Sequence, residues 1–182
     1  AEEQLADSGA IPFSYTGRMD ALFQLQTVLS IYSVHGFDFA RPTGLLAHES
    51  LTKLTQHMLQ IVNQWPAGAF ETLGISAAGS DSETMVRLRD ELAAGLGLDA
   101  GAEKVDMLLR IRRASPLLPE GIDATDESVV QSRGWEVLVR LSPRPLSVRF
   151  WRVADMAGAL NAAVAHCMVM LTRPRDGEIF LN

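Results

Sequence analysis

Cysteine is nearly missing from this chain. Cys167 stands alone among 182 residues, so an internal disulfide is excluded. None is needed, because a chain of this length buries about 70% of its unfolded surface in its own core. The same scarcity fits a reducing compartment and predicts a cytoplasmic protein. No apolar run reaches the roughly 18 residues of a membrane helix. The opening, AEEQLADSGA, is acidic and lacks the apolar stretch of a signal peptide. It also lacks an initiator Met, which suggests a trimmed start. Neither G-x-G-x-x-G nor G-x-x-x-x-G-K-[ST] occurs, so the common nucleotide cradles are missing. His35, His48, His57 and His166 do not form the His-Glu-x-x-His helix of metalloproteases, and Cys167 has no second cysteine with which to hold zinc. No metal is expected. Lysine is scarce too, with Lys53 and Lys104 alone.

What is present is ordinary globular material, 47% hydrophobic and 21% charged, enough for one good domain or two small ones. The net charge of -6 argues, taken whole, against nucleic acid. Its distribution argues otherwise. Residues 1–104 carry a net -7, whereas residues 128–175 hold seven arginines against Glu136 and Asp155. Every basic residue after Lys104 is arginine, whose planar fork matches phosphate geometry where lysine offers a point charge. Two readings stand for this region, a solvated arginine face or a phosphate-binding one.

Along the chain, residues 18–29 predict a helix and residues 30–39, β-branched and aromatic, a strand. ARPTG breaks it. Leu51, Leu54, Met58 and Ile61 then mark one stripe of a helix running to Gln64, and residues 70–77 a second strand. Ser80 and Glu83 have the S-x-x-E spacing of a capping box, which predicts a helix start at Ser80. That helix carries Met85, Leu88, Leu92 and Leu96 and ends at Gly95–Gly97. Residues 105–113 and 134–142 predict two more strands around a polar loop at 114–132. Arg110 and Arg112 share one strand face by the two-residue period, and Arg140 alternates with apolar neighbours. Residues 143–152 read as an extended linker, 156–171 as a helix apolar nearly all round, and 178–182 as the start of a strand. Such a helix needs a body to be buried against. The expected fold is α/β with a mixed sheet and flanking helices.

Sites for chemistry are few. AAGSDS (77–82) brings Gly79 to the free N–H groups of a helix start, which serves as a cap or binds an anion. Asp123, Asp126 and Glu127 lie in a polar loop and read as solvated. Cys167, on an apolar helix, reads as a core thiol.

From Gly134 to Asn182 the chain resembles the junction found in THUMP-containing class I RNA methyltransferases, which make N2-methylguanosine in tRNA. There a strand ends the THUMP domain. An R-x-W-R type segment follows, here Arg149-Phe150-Trp151-Arg152, then a helix of small residues, here Gly158 to Leu171. The first strand of a Rossmann-like sheet comes next, here Glu178 to Asn182. Residues 70–93 are similar to the strand–turn–helix core of the THUMP domain.

The resemblance implies three parts. Residues 1–29 are a remnant of a ferredoxin-like subdomain with a lead-in helix, 30–142 a THUMP-like RNA-binding domain, and 143–182 a linker with the truncated start of a methyltransferase domain. It also implies S-adenosylmethionine as cofactor of the parent protein, although the family's Gly-rich loop and (N/D)-P-P-(Y/F) motif are not in this sequence. The implied partner is tRNA, held by its acceptor end, or other structured RNA. Arg110, Arg112, Arg113, Arg140, Arg144, Arg149 and Arg152 would contact its backbone, with Gly79 and Ser80 accepting a phosphate. Phe150 and Trp151 would pack the hinge or stack on a base. Residues 156–182 would swap or self-associate if left uncovered. A protein-interaction domain with an acidic partner and a small-molecule methyltransferase with a degenerate THUMP domain are the alternatives.

Overall fold

The computed structural model describes residues 10–101, 105–114, 134–149, 158–173, 175 and 177. The elements in chain order are helix α1 (Met19–Leu22), strand β1 (Tyr32–Phe37), a 3-10 turn (Pro42–Leu46), helix α2 (His48–Val62), strand β2 (Thr72–Ala77), helix α3 (Glu83–Leu96), strands β3 (Asp99–Ala100), β4 (Met107–Arg113) and β5 (Trp135–Arg140), and helix α4 (Ala162–Thr172). The strands form one five-stranded sheet in the order β1-β5-β4-β2-β3. β1 and β4 both run antiparallel to β5, while β2 runs parallel to β4 and β3. The fold is thus mixed α/β with flanking helices.

Alternation along the strands decides where the core lies. Leu73 on β2, Met107, Leu109 and Ile111 on β4, and Val137 and Val139 on β5 all face one side and are buried. Two helices cover that side. Leu54, Met58 and Ile61 line the inner stripe of α2, and Met85, Leu88, Leu92 and Ala93 that of α3. Each fully buried leucine contributes roughly 1.5–3 kcal/mol relative to exposure. Trp65, just past α2, ties this layer to the end of β5. Its Nε1 donates to the Leu141 carbonyl (3.1 Å), and its ring meets Phe23 at 4.9 Å. The sheet's other face carries Val34, Arg110, Arg112 and Ser76, all exposed.

Several expectations change. The helix expected over 18–29 closes after Leu22, because Phe23 turns into contact with Trp65 while Leu25 and Leu29 stay exposed. The Ser80 capping box does not form. Gly79 takes a left-handed φ of 71° and opens a tight turn closed by Ser82 N–H donating to the Gly79 carbonyl (2.9 Å). The helix therefore starts two residues later, with Ser82 at the N-cap and no side-chain cap bond, and Glu83 is its first residue. Gly97 ends it at a left-handed φ of 68°, as glycine favours. β3 was not foreseen; two residues are too short for a periodic signal. The C-terminal helix starts at Ala162, where the Asn161 side chain accepts from Ala163 N–H, rather than at 156. The expected loop at 114–132 lies outside the described residues but for Ala114, and so do residues 178–182, where a strand is expected.

Candidate nucleic-acid interface

The open sheet face is built by four neighbouring strands. In register, Ser76 of β2 lies beside Arg110 of β4, Arg110 beside Leu138 of β5, and Leu138 beside Val34 of β1. Arg110 and Arg112 both project here, as the two-residue period requires, and both are exposed. The Arg110 guanidinium lies 5.4 Å from the centre of the Tyr32 ring, on β1. It thus reaches across β5 and covers Leu138, which is 9% exposed. Cation and ring hold each other in place without an ion pair, which leaves the guanidinium edge available to an anion. Arg112 is bonded to Glu136 (Nε to Oε2, 2.9 Å), which takes up part of its charge.

Arg113 belongs to the other side. The strand period turns it away from Arg110 and Arg112, and its guanidinium lies 4.7 Å over Trp135 at the sheet's end. Since β2 and β4 run parallel with Ala77 opposite Ile111, the turn carrying Gly79 and Ser80 leaves the sheet at the same end as Arg112 and Arg113. The N-terminus of α3 is there too, and its free N–H groups favour an anion. Asp81 in that turn and Glu83 at the first position of α3 oppose one, so the arginines are the stronger feature.

Arg140 leaves the candidate set. It is 4% exposed, and its guanidinium donates to four carbonyls: Nε to Ser142 (2.9 Å), and Nη2 to Val105 (2.7 Å), Asp106 (2.9 Å) and Pro143 (2.8 Å). Burial pushes it below its ordinary pKa, yet an arginine remains charged. It clamps the chain entering β4 against the chain leaving β5. Asp106 completes the knot, accepting at Oδ2 from Thr72 Oγ1 (3.0 Å) and Glu71 N–H (3.2 Å). Alternation alone gave no sign of this, because the carbonyls come from segments outside the strands. Arg144 is exposed in the following turn. Arg149 donates to the Gln26 carbonyl (2.7 Å) and so holds the residues after β5 to those after α1. Arg152, Phe150 and Trp151 lie outside the described residues.

Tyr32 is the residue that sequence reading missed. Its signal was the strand period itself, which puts it on the same face as Arg110 once β1 and β4 are known to flank β5.

On the core side of β1 the Ser33 hydroxyl and His57 Nε2 are hydrogen-bonded (2.8 Å), and the His57 ring meets His35 edge-on with centroids 4.0 Å apart. Burial, then the charges of His57 and Lys53, pulls His35 down to about 4; burial also lowers His57. Both imidazoles are held neutral near pH 7, and Lys53 keeps the cluster hostile to a cation. Among the described residues, no group of three or more His, Cys, Asp or Glu is placed to hold a metal.

A groove of about 390 Å3 beside α3 is lined by Gly74, Ser80, Asp81, Met85, Arg89 and Gly101, among others. The turn entering α3 supplies one glycine where a nucleotide loop needs several close backbone approaches, and the Arg89 guanidinium in the groove is paired with Asp90 (2.9 Å). These residues do not fit S-adenosylmethionine. Among the described residues, no helix is long and apolar enough to cross a membrane.

No protein-family model matches the chain, and no curated protein matches it.

Proposed function

We propose that this chain is the RNA-binding module of an S-adenosylmethionine-dependent RNA methyltransferase, of the THUMP type, acting on tRNA guanine N2 and working in the cytoplasm. The observation that carries the reading is the sheet face, exposed at Val34, Ser76, Arg110 and Arg112, on which Arg110, braced by Tyr32, stands beside Arg112 and Ser76. An open sheet with arginine and an aromatic ring side by side suits backbone contact and base stacking along a single strand, as at a tRNA acceptor end. Arg113 and the Gly79–Ser80 turn extend it around the sheet's end, and Arg144 adds a further exposed cation. Helix α4 supports the second half of the reading. Met168, Val169, Met170 and Leu171 are exposed on it, as expected of the first helix of a methyltransferase body that covers it. Methyl transfer itself is assigned to that body, since the family's Gly-rich loop and (N/D)-P-P-(Y/F) motif do not occur in this sequence.

The test is a mobility shift of tRNA with the parent chain and with Arg110, Arg112 and Arg113 changed together to Glu. The parent shifts the RNA and the triple variant does not. A parent that fails to shift any tRNA, or a triple variant that shifts it equally, refutes the assignment.

A further inference from the structure

We propose that β1 is a self-association edge, through which two copies pair antiparallel and join their sheets into one. β1 ends the sheet order, so among the described residues one of its sides has no neighbouring strand. Antiparallel pairing fixes which groups face that side. Leu141 N–H donates to the Ile31 carbonyl (3.0 Å), and the register continues as Tyr32 opposite Arg140. Ile31, Ser33, His35 and Phe37 therefore spend their backbone groups on β5, while those of Tyr32, Val34 and Gly36 point outward. Among the described residues no further backbone bond reaches those three. Val34 is 56% exposed and Gly36 is exposed too.

Unpaired edges are normally protected by lysine, proline, a bulge or shortness. This one has none of these. It is six residues long, runs in unbroken register with β5, and holds no charge and no proline from Ile31 to Phe37. Nor, among the described residues of the strand, do side chains obstruct it. Tyr32 leans inward to Arg110, Gly36 has no side chain, and Val34 alone stands at the rim.

A second copy fits this edge because the strand complements itself. Centred on Val34, the antiparallel two-fold register sets Val34 against Val34 of the second copy and Tyr32 against its Gly36. All three outward residues then exchange both backbone bonds. At the flank Asp38 meets Ser30, so no like charges oppose each other. The contact is isologous and closes as a dimer.

The test uses the full chain in sedimentation velocity over a range of concentrations, with V34K, V34E and their equal mixture. The expected result is a dimer for the parent, monomers for each variant with the parent's circular dichroism, and a dimer again in the mixture, since position 34 faces itself. Hydrogen exchange gives a check independent of the variants: protection of the Tyr32, Val34 and Gly36 amides should rise with protein concentration. A monomeric parent, a V34K variant that still dimerises, a mixture that stays monomeric, or protection indifferent to concentration overturns the proposal.

Discussion

Arg140 shows how far a single side chain can depart from what its neighbours in sequence suggest. Alternation put it on the arginine face, but the carbonyls of Val105, Asp106, Ser142 and Pro143 enclose it. Replacing it with Met strands those acceptors and should cost about 3 kcal/mol in urea denaturation. Arg110→Ala, on the open face, should change stability by no more than about 0.5 kcal/mol. The contrast separates clamp from contact, and equal effects would refute it. The histidines of β1 and α2 make a pH prediction. His35 titrates at about 4 in the folded chain against 6.5 unfolded, so the unfolded state binds the extra proton between those values. Its contribution to stability is complete above pH 6.5, declines as pH falls, and levels off below about 4. His57, also lowered by burial, adds in the same direction. Melting temperature followed from pH 7.5 downward should fall through this window, and less steeply in His35→Gln.

At the level of elements, legibility followed periodicity and length. Strands β1, β2, β4 and β5 could be read within two residues of their ends, because β-branched and apolar residues alternate there over six or seven positions. The stripes of α2 and α3 were equally plain. Failures came where distant contacts overrode local pattern. Residues 18–29 have helical spacing, but Phe23 is drawn to Trp65 and Arg149 holds the Gln26 carbonyl, so the chain bends after Leu22. Helix α4 was read correctly as apolar on most sides, and Leu171 is 81% exposed on it. Substituting Met168 and Leu171 together by Lys removes no core contact. The pair should leave the unfolding free energy within about 0.5 kcal/mol and reduce binding of a hydrophobic dye. A large loss of stability would mean that this face is packed.

For the molecule as a whole, charge distribution carried more information than net charge. A total of -6 hides an arginine-rich second half, and the sheet order gathers Arg110 and Arg112 with Tyr32, which is 78 positions before Arg110. The arginines were legible as a face from their spacing along β4. The aromatic partner was not, because it required knowing that β5 lies between β1 and β4. Arg140's withdrawal also revises the expected electrostatics: with Arg149 bonded to the Gln26 carbonyl, the candidate arginines left exposed to contact a backbone are, among the described residues, Arg110, Arg112, Arg113 and Arg144. Each phosphate contact to a single strand contributes about -0.7 to the slope of log K against log salt. Fluorescence anisotropy of a tRNA acceptor-end strand, titrated at several salt concentrations, tests the central claim most directly. The account predicts a slope of about -2.8 for the parent chain, falling to about -0.7 or shallower, with Arg144 alone left, once Arg110, Arg112 and Arg113 are changed to Glu. A parent affinity that does not respond to salt, or a slope unchanged in the triple variant, would contradict it.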